Sequence, residues 1–340
     1  MNILFAGGGS LGPVTPLLAT AAALQRLDPS VELFWAGTPD GPERALVEAQ
    51  GIKFYPIPVA KLPRYFDIRW LTFPFDSMKA SRIAHHVIHE VHPDAVVSVG
   101  GFTAVPIIRA AAKHGIPCLI HQLDMTPTLS NRAVERMCIS KTSSFKTAGY
   151  EQLPTPTRFQ LQDIGMHAPN PKPVVLVMGG GQGAQALNDA LASKLDRWLE
   201  KAAVIHIAGI GKLPAETNRD GYSVHELLDA EGMRRAYAAA DVVVTRAGIG
   251  SLSEIAALKK TAIIVPIPKS HQVANALAFD QAKAGLYLKQ DQEDFADILF
   301  QQAMALLADA SRREAMGEAA HAFFPTDDGS ALARKIKSAV

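Results

Sequence analysis

Twice the chain runs a short apolar segment into glycines and then into a helical stretch. Near the start, Asn2-Ile3-Leu4-Phe5-Ala6 breaks into Gly7-Gly8-Gly9-Ser10-Leu11-Gly12. Halfway along, Val174-Val175-Leu176-Val177-Met178 breaks into Gly179-Gly180-Gly181-Gln182-Gly183-Ala184. A parallel α/β unit begins this way when its first loop must approach a phosphate or a sugar, because glycines let backbone N–H groups come close and the helix N-terminus favours negative charge. Two such starts imply two Rossmann-like halves with a cleft between them. A chain of 340 residues is long enough for two domains that each bury a core.

The segments between the two starts fit that plan. Ile3–Ala6, Val31–Ala36, Lys53–Val59, Ala95–Val99 and Cys118–His121 read as strands covered on both faces. Pro16–Leu27, Pro42–Gln50, Ser77–Val91 and Val105–His114 read as the helices between them. In the second half the strands are Val174–Met178, Val204–Ala208, Tyr222–His225, Val242–Thr245 and Ala262–Pro266. The helices there are Ala184–Lys201, Met233–Ala239, Ser251–Leu258, Val273–Lys283 and Glu293–Leu307. Such alternation predicts parallel sheets with right-handed crossovers. The proline-rich stretch Gln152–Pro173 marks the boundary, giving a first domain at 1–155 and a second at 156–328. A last helix at 329–340 can pack back on the first.

Bulk properties exclude several classes. A net charge of +1 makes no global case for nucleic acid, and two cysteines, Cys118 and Cys138, cannot frame a disulfide scaffold. Cys118, in a strand-like run, reads as a small core residue. No apolar run approaches the roughly 20 residues that span a bilayer, and the N-terminus shows no charged region or cleavage site of a signal peptide. The expected location is the cytoplasm or the cytoplasmic face of a membrane.

Several polar residues sit where ligands of α/β sheets bind, outside the carboxyl ends of strands. Glu254, in Arg246-Ala247-Gly248-Ile249-Gly250-Ser251-Leu252-Ser253-Glu254, could accept from two ribose hydroxyls; its S-x-x-E spacing from Ser251 equally suits a capping box. His271-Gln272 and Asn275 could meet sugar hydroxyls or simply open a helix. Asp124, in His121-Gln122-Leu123-Asp124, is placed like a functional carboxylate or a turn aspartate. His85, His89 and His92 share a helical face, which suits a metal in principle and a solvated polar face in the simpler reading. Between Leu62 and Arg82, Tyr65, Phe66, Trp70, Phe73 and Phe75 alternate with Arg64, Arg69, Lys79 and Arg82. That mixture suits an anionic membrane surface, although core packing explains some of the aromatics.

Taken together these segments resemble the MurG family of GT-B glycosyltransferases over nearly the whole chain. Gly7–Pro16 resembles the family's GGTGGHxxP. Pro93-Asp94-Ala95 through Gly100-Gly101-Phe102 resembles PDVVxxxGGY, and His121–Asn131 resembles HEQNxxxGLTN. Pro156-Thr157-Arg158 resembles PVR, Gly179–Asn188 resembles GGSQGAxxLN, Arg246–Glu254 resembles RSGAxTxxE, and His271-Gln272 with Asn275-Ala276 resembles HQxxNA. The resemblance implies a GT-B fold, two Rossmann-like parallel-sheet domains facing across a cleft. It implies inverting transfer of N-acetylglucosamine from UDP-N-acetylglucosamine to an undecaprenyl-diphosphate-linked sugar, without a metal or other cofactor. On the donor side it implies Glu254 for the ribose, Gly180, Gly181, Gln182 and Gly183 near the diphosphate, Arg158 beside them, and Gln272 with Asn275 for the donor sugar. On the acceptor side it implies Gly8, Gly9, Ser10, Gly12 and Asn131.

The departures from the pattern fall on the acceptor side. The histidine of GGTGGH is Pro13, Leu11 replaces a glycine, and HEQN reads His121-Gln122-Leu123-Asp124. A proline cannot take a proton, so Asp124 is the expected base for the acceptor hydroxyl. Transfer to another glycolipid or metabolite, or a nucleotide-sugar-binding subunit without catalysis, are the alternative readings.

Overall fold

The computed structural model describes residues 1–9, 11–41, 43–58, 69–165, 171–181, 183–215 and 217–340. The chain forms two compact units, Met1–Arg158 with Asp327–Val340, and Phe159–Thr326. The first unit thus runs to Arg158, three residues beyond the expected boundary.

Unit 1 is built on seven parallel strands: β1 (Asn2–Ala6), β2 (Glu32–Gly37), β3 (Lys53–Pro56), β4 (Ala95–Ser98), β5 (Cys118–Gln122), β6 (Ser140–Ser143) and β7 (Glu151–Gln152). Their order is β3-β2-β1-β4-β5-β6-β7, with Phe5 opposite Trp35 on one side and Val97 on the other. The helices are α1 (Leu11–Leu27), α2 (Glu43–Glu48), α3 (Arg69–Val91), α4 (Ala104–Lys113) and α5 (Leu129–Val134). The central strands β1 and β4 are apolar runs buried along nearly their whole length, as strands covered on both faces are. Val96 and Ile120 from the sheet pack with Ala84, Val87 and Ile88 of α3 and Ile107 and Ile108 of α4.

After β8 (Thr155–Pro156), unit 2 opens with α6 (Leu161–Ile164) and continues as β9 (Val174–Met178), α7 (Gln185–Ala192), α8 (Leu195–Lys201), β10 (Ala203–Ile207), β11 (Tyr222–His225) and α9 (Ala230–Ala239). It then runs through β12 (Val242–Thr245), α10 (Ile249–Ala257), β13 (Ala262–Ile264), α11 (Gln272–Gln281), β14 (Leu286–Tyr287), α12 (Phe295–Ala308) and α13 (Ala310–Phe323). The six strands lie in the order β11-β10-β9-β12-β13-β14, all pairs parallel. Trp198, Leu187, Val244 and Leu306 meet in its core. The expected single helix Ala184–Lys201 is broken between α7 and α8. Ser193 Oγ donates back to Ala190 O at 3.0 Å, a local bond that competes with continuation of the helix.

The chain ends on unit 1. Strand β15 (Thr326–Asp327) pairs with β8, and α14 (Ser330–Lys337) follows. Asp327 caps α14 by accepting from Gly329 N and Ala331 N. Leu332, Ala333 and Ile336 are buried, and exposed ion pairs Arg26–Asp328 and Lys337–Asp28 tie the helix to α1 and the turn that follows it.

Candidate active site

In unit 2 the chain leaves β9 for β10 on one side of the sheet, while β12 lies on the other. That reversal opens a crevice at the carboxyl ends of β9 and β12. The loops that flank it are 179–184 and 245–248. Gly179 and Gly183 are required by the chain itself: a Cβ on Gly179 would meet Ala184 N at 2.2 Å, and one on Gly183 would meet Ala208 O at 2.0 Å. Gly180 differs, with φ at +76° and open space where a Cβ would stand. Gly181 is half-buried, and Gln182 lies outside the described residues. The N-cap residues of α7, α10 and α11 are Ala184, Gly248 and His271, and none of them caps its helix with its own side chain, although Ser270 Oγ accepts from Gln272 N at 3.2 Å at the start of α11. Three helix N-termini at one sheet edge give backbone donors and positive dipole ends suited to an anion such as a diphosphate.

Glu254 lies on α10 and is 4% exposed. The capping-box reading fails, because the N-cap of α10 is Gly248 and Ser251 is already inside the helix. The Glu254 carboxylate instead accepts from the hydroxyl of Tyr237 at 2.8 Å. Asn275 is fully buried and donates to Ala247 O at 3.1 Å, so in this structure it holds the loop before α10. Gln272 opens α11, and its Oε1 accepts from Ile267 N at 3.2 Å.

Arg246, directly after β12, was not singled out by sequence, although a cation at the end of an apolar strand was a usable signal. It is 9% exposed, and its guanidinium donates to Val265 O, Pro266 O and Gln290 Oε1. No carboxylate lies within ion-pair reach among the described residues. Desolvation lowers its pKa from the ordinary arginine value, yet an arginine stays protonated. Arg246 is therefore a buried cation whose hydrogen bonds go to neutral acceptors.

The corresponding reversal in unit 1 lies between β1 and β4. Its loops touch: a Cβ on Gly101 would meet Gly8 O at 3.2 Å. Gly8 and Gly9 turn out to serve an internal anion. Glu43, fully buried, accepts from Gly9 N at 3.1 Å, from Thr38 N at 2.7 Å and from the Thr38 hydroxyl. A Cβ on Gly8 would lie 2.2 Å from its Oε1. Glycine at position 8 is explained by the approach of this carboxylate, without a phosphate. Gly12 falls in the first turn of α1, and Ser10 lies outside the described residues.

On the acceptor-type loop, Gln122 is the hub. It is fully buried, donates to Asp124 O at 2.9 Å and Thr126 O at 3.0 Å, and accepts from Thr128 N and Asn131 Nδ2. Asn131 is 1% exposed, and its Oδ1 has no hydrogen-bond partner among the described residues. That atom lies 3.3 Å from where a Cβ of Gly100 would be. Thr103 Oγ1, beside Gly101, is a second buried polar atom without a partner among the described residues. Asp124 is half-buried on this loop.

Arg158 is the last residue of unit 1, not part of unit 2 as its expected domain implied. Cys118 is buried, and burial pushes its thiol up to about 12, so it is a core residue. The His85 ring meets His114 at 3.2 Å between nitrogens, and His89 stacks edge-on against His92 and His114. No group of three or more ligating side chains among the described residues is arranged for a metal. Of the expected membrane segment, residues 62–68 lie outside the described residues. Further along α3, Phe75 is 74% and Met78 54% exposed.

Comparison with known proteins agrees with this geometry. The model of the glycosyltransferase family 28 N-terminal domain matches residues 3–141, and that of its C-terminal domain matches 174–330. A protein of Nocardioides sp. named UDP-N-acetylglucosamine--N-acetylmuramyl-(pentapeptide) pyrophosphoryl-undecaprenol N-acetylglucosamine transferase is 36% identical over 99% of this chain and 97% of its own. One of the same name from Clostridium kluyveri is 35% identical over 85% of this chain and 87% of its own. The crystal structure of Acinetobacter baumannii MurG superposes with a TM-score of 0.75 at 27% identity, covering 99% of both chains. The Streptomyces glycosyltransferase SsfS6 bound to thymidine diphosphate shares the fold, with a TM-score of 0.68 at 18% identity over the full length of both chains. With the doubled sheet, its two reversal points and these relatives, the chain belongs to the MurG family, within glycosyltransferase family 28.

Proposed function

We propose that the chain is an inverting glycosyltransferase that moves N-acetylglucosamine from UDP-N-acetylglucosamine to the lipid-linked N-acetylmuramyl-pentapeptide, forming lipid II for peptidoglycan. The observation that carries this reading is the unit 2 crevice. Three helix N-termini, the buried Arg246 and the carboxylate of Glu254 lie on the loops and helices that follow β9, β12 and β13. Glu254 takes the ribose hydroxyls, and Gly180 and Gly181 admit the diphosphate. Gln272 meets the donor sugar, with Asn275 holding the loop beside it. As the acceptor hydroxyl attacks the anomeric carbon, the carbon–oxygen bond to UDP breaks and negative charge grows on the departing diphosphate. Fixed dipoles and Arg246, with Arg158, stabilise that charge; the reading needs no metal. The acceptor's proton goes to Asp124, and Asn131 with the loops of Gly8–Gly9 and Gly100–Gly101 receives the acceptor. No described helix is long and apolar enough to cross a membrane. In this reading the lipid is met by peripheral contact at the cytoplasmic face.

Pro13 and the role of Gln122 as a loop hub favour one second reading, the same transfer to a different glycolipid or metabolite. Turnover of UDP-N-acetylglucosamine with and without lipid I decides between them. The expected result is UDP release that depends on lipid I. Release only with another acceptor supports the second reading, and donor binding without turnover on any acceptor identifies a catalysis-free subunit. In the same assay Asp124→Asn should lose about 10²–10⁴-fold in rate with donor binding intact, the usual contribution of a general base. A loss of only a few-fold removes Asp124 from that role.

A further inference from the structure

We infer that Tyr237 is a positioning residue for nucleotide binding, acting through Glu254; the inference rests on the reading of Glu254 as the ribose-binding carboxylate. Tyr237 is on α9 and is fully buried, a position normally filled by an apolar side chain. Its ring packs edge-on against Phe159, with centroids 6.1 Å apart. That contact needs no hydroxyl. The hydroxyl nevertheless ends inside unit 2 against two groups of the crevice. It donates to Glu254 Oε2 at 2.8 Å and lies 3.7 Å from the sulfur of Met178, the last residue of β9 before the second glycine loop.

The two contacts are unequal. A thioether is a weak acceptor, whereas a bond to a carboxylate is charge-assisted and about twice as strong as a neutral one. The single phenolic proton therefore belongs to Glu254. A carboxylate has about four acceptor sites, so one bond from the tyrosine does not exclude ribose hydroxyls as further donors. The bond fixes the rotation of the carboxyl plane before ligand arrives. A buried carboxylate without that donor would turn toward other donors of the crevice, and the ordering would have to be made during binding. Tyr237 also joins three elements, α9, α10 and the end of β9.

The test compares UDP with 2′,3′-dideoxy-UDP, by calorimetry, on the parent chain, Tyr237→Phe, Glu254→Gln and the double variant. Tyr237→Phe keeps the ring and its packing against Phe159. UDP affinity should fall about five- to tenfold in Tyr237→Phe, the scale of one charge-assisted hydrogen bond, while dideoxy-UDP affinity stays unchanged. In the Glu254→Gln background the tyrosine substitution should add no further loss. A purely structural role would weaken both ligands alike, and that result overturns the inference. So does an undiminished preference for UDP in Tyr237→Phe. If the parent itself does not distinguish UDP from dideoxy-UDP, the ribose reading of Glu254 falls, and the role of Tyr237 with it. Should Tyr237→Phe fail to fold, Glu254→Gln against both ligands, with the parent's pH-dependence of UDP binding, still decides whether the carboxylate serves the ribose; Tyr237→Met at the same site then tests the hydroxyl.

Discussion

A single amide organises the loop where this chain departs most from its family. Gln122 stands where the family pattern has glutamate. It donates to two carbonyls, Asp124 O and Thr126 O, while accepting from Thr128 N and Asn131 Nδ2. Only an amide offers two donors and an acceptor oxygen in this shape. A carboxylate here would face two carbonyl oxygens, and a protonated carboxyl could satisfy one of them. Gln122→Glu, though nearly isosteric and a return to the family residue, should therefore cost about 3 kcal/mol or more, the scale of a buried charge without its donors. Denaturant unfolding of the two proteins checks this, with the loss expected to shrink at acid pH as the new carboxyl is protonated. Equal midpoints at neutral pH would mean that the loop does not depend on the amide. The same logic explains why Gly8 looked like a phosphate residue. Sequence shows a glycine where backbone must approach something, and only the structure shows that the something is Glu43.

At the scale of elements, what could be read from sequence was set by periodicity. Strands β9, β11 and β12 have the boundaries that sequence predicts; β9 and β12 are apolar runs buried on both faces, whereas β11 is an edge strand with Ser223 exposed. Strands β6 and β7 were not legible: Ser140-Lys141-Thr142-Ser143 and Glu151-Gln152 are polar and take their strand form from pairing with β5 and with each other. Helix α13 was missed because its exposed, charged face hides a narrow buried stripe of Met316, Gly317 and Ala320. Gly317 is small because a Cβ would lie 2.1 Å from Lys259 O. Of the site, the two glycine loops and Glu254 were legible as strand-to-helix joints, and Arg246 was legible as a cation closing an apolar strand; Tyr237 was not, since its role comes from a contact between helices distant in sequence. Helix α3 carries a periodic signal of its own. Ala80, Ala84, Val87, Ile88 and Val91 are buried on one face, and Phe75, Met78, Lys79 and Arg82 are exposed at i, i+3, i+4 and i+7 on the other. An exposed stripe that joins large apolar groups to cations suits an anionic lipid surface. Binding to vesicles containing anionic lipid should weaken as salt rises, and Lys79→Glu with Arg82→Glu should reduce it at about 1 kcal/mol per cation removed. Equal sedimentation with neutral and anionic vesicles would exclude this face as the contact.

Across the whole molecule each unit encloses one histidine that cannot easily take a proton. In unit 1, His121 bonds the hydroxyls of Thr142 and Ser144, and burial pushes its pKa down to about 3. In unit 2, His206 lies between the Tyr222 hydroxyl at 2.8 Å and Asn188 Oδ1 at 3.0 Å, and burial pushes it down to about 4. Asn188 Nδ2 is committed to Ala208 O, so its oxygen faces the ring, His206 Nε2 is the donor, and the tyrosine donates to Nδ1. Both rings are neutral in the folded state and become protonated in the unfolded chain below its ordinary value of 6.5. Between pH 6.5 and about 4 the unfolded state thus binds more protons, and stability must fall as pH falls. The slope approaches ~1.4 kcal/mol per pH unit for each histidine, and it is present in both units over the same window. Asp28, held at about 2, loses its contribution only below 3.8, under this window, while Asp327, raised by burial, works in the opposite sense from 3.8 upward. His206→Gln, which keeps a donor for Asn188 and cannot be protonated, should flatten the acid limb of unit 2 and leave that of unit 1. Thermal unfolding from pH 7 to 4.5 measures both. An acid limb unchanged by the substitution would show that the ring is solvated or protonated in the folded protein, and that Tyr222 and Asn188 do not hold the tautomer assigned to it.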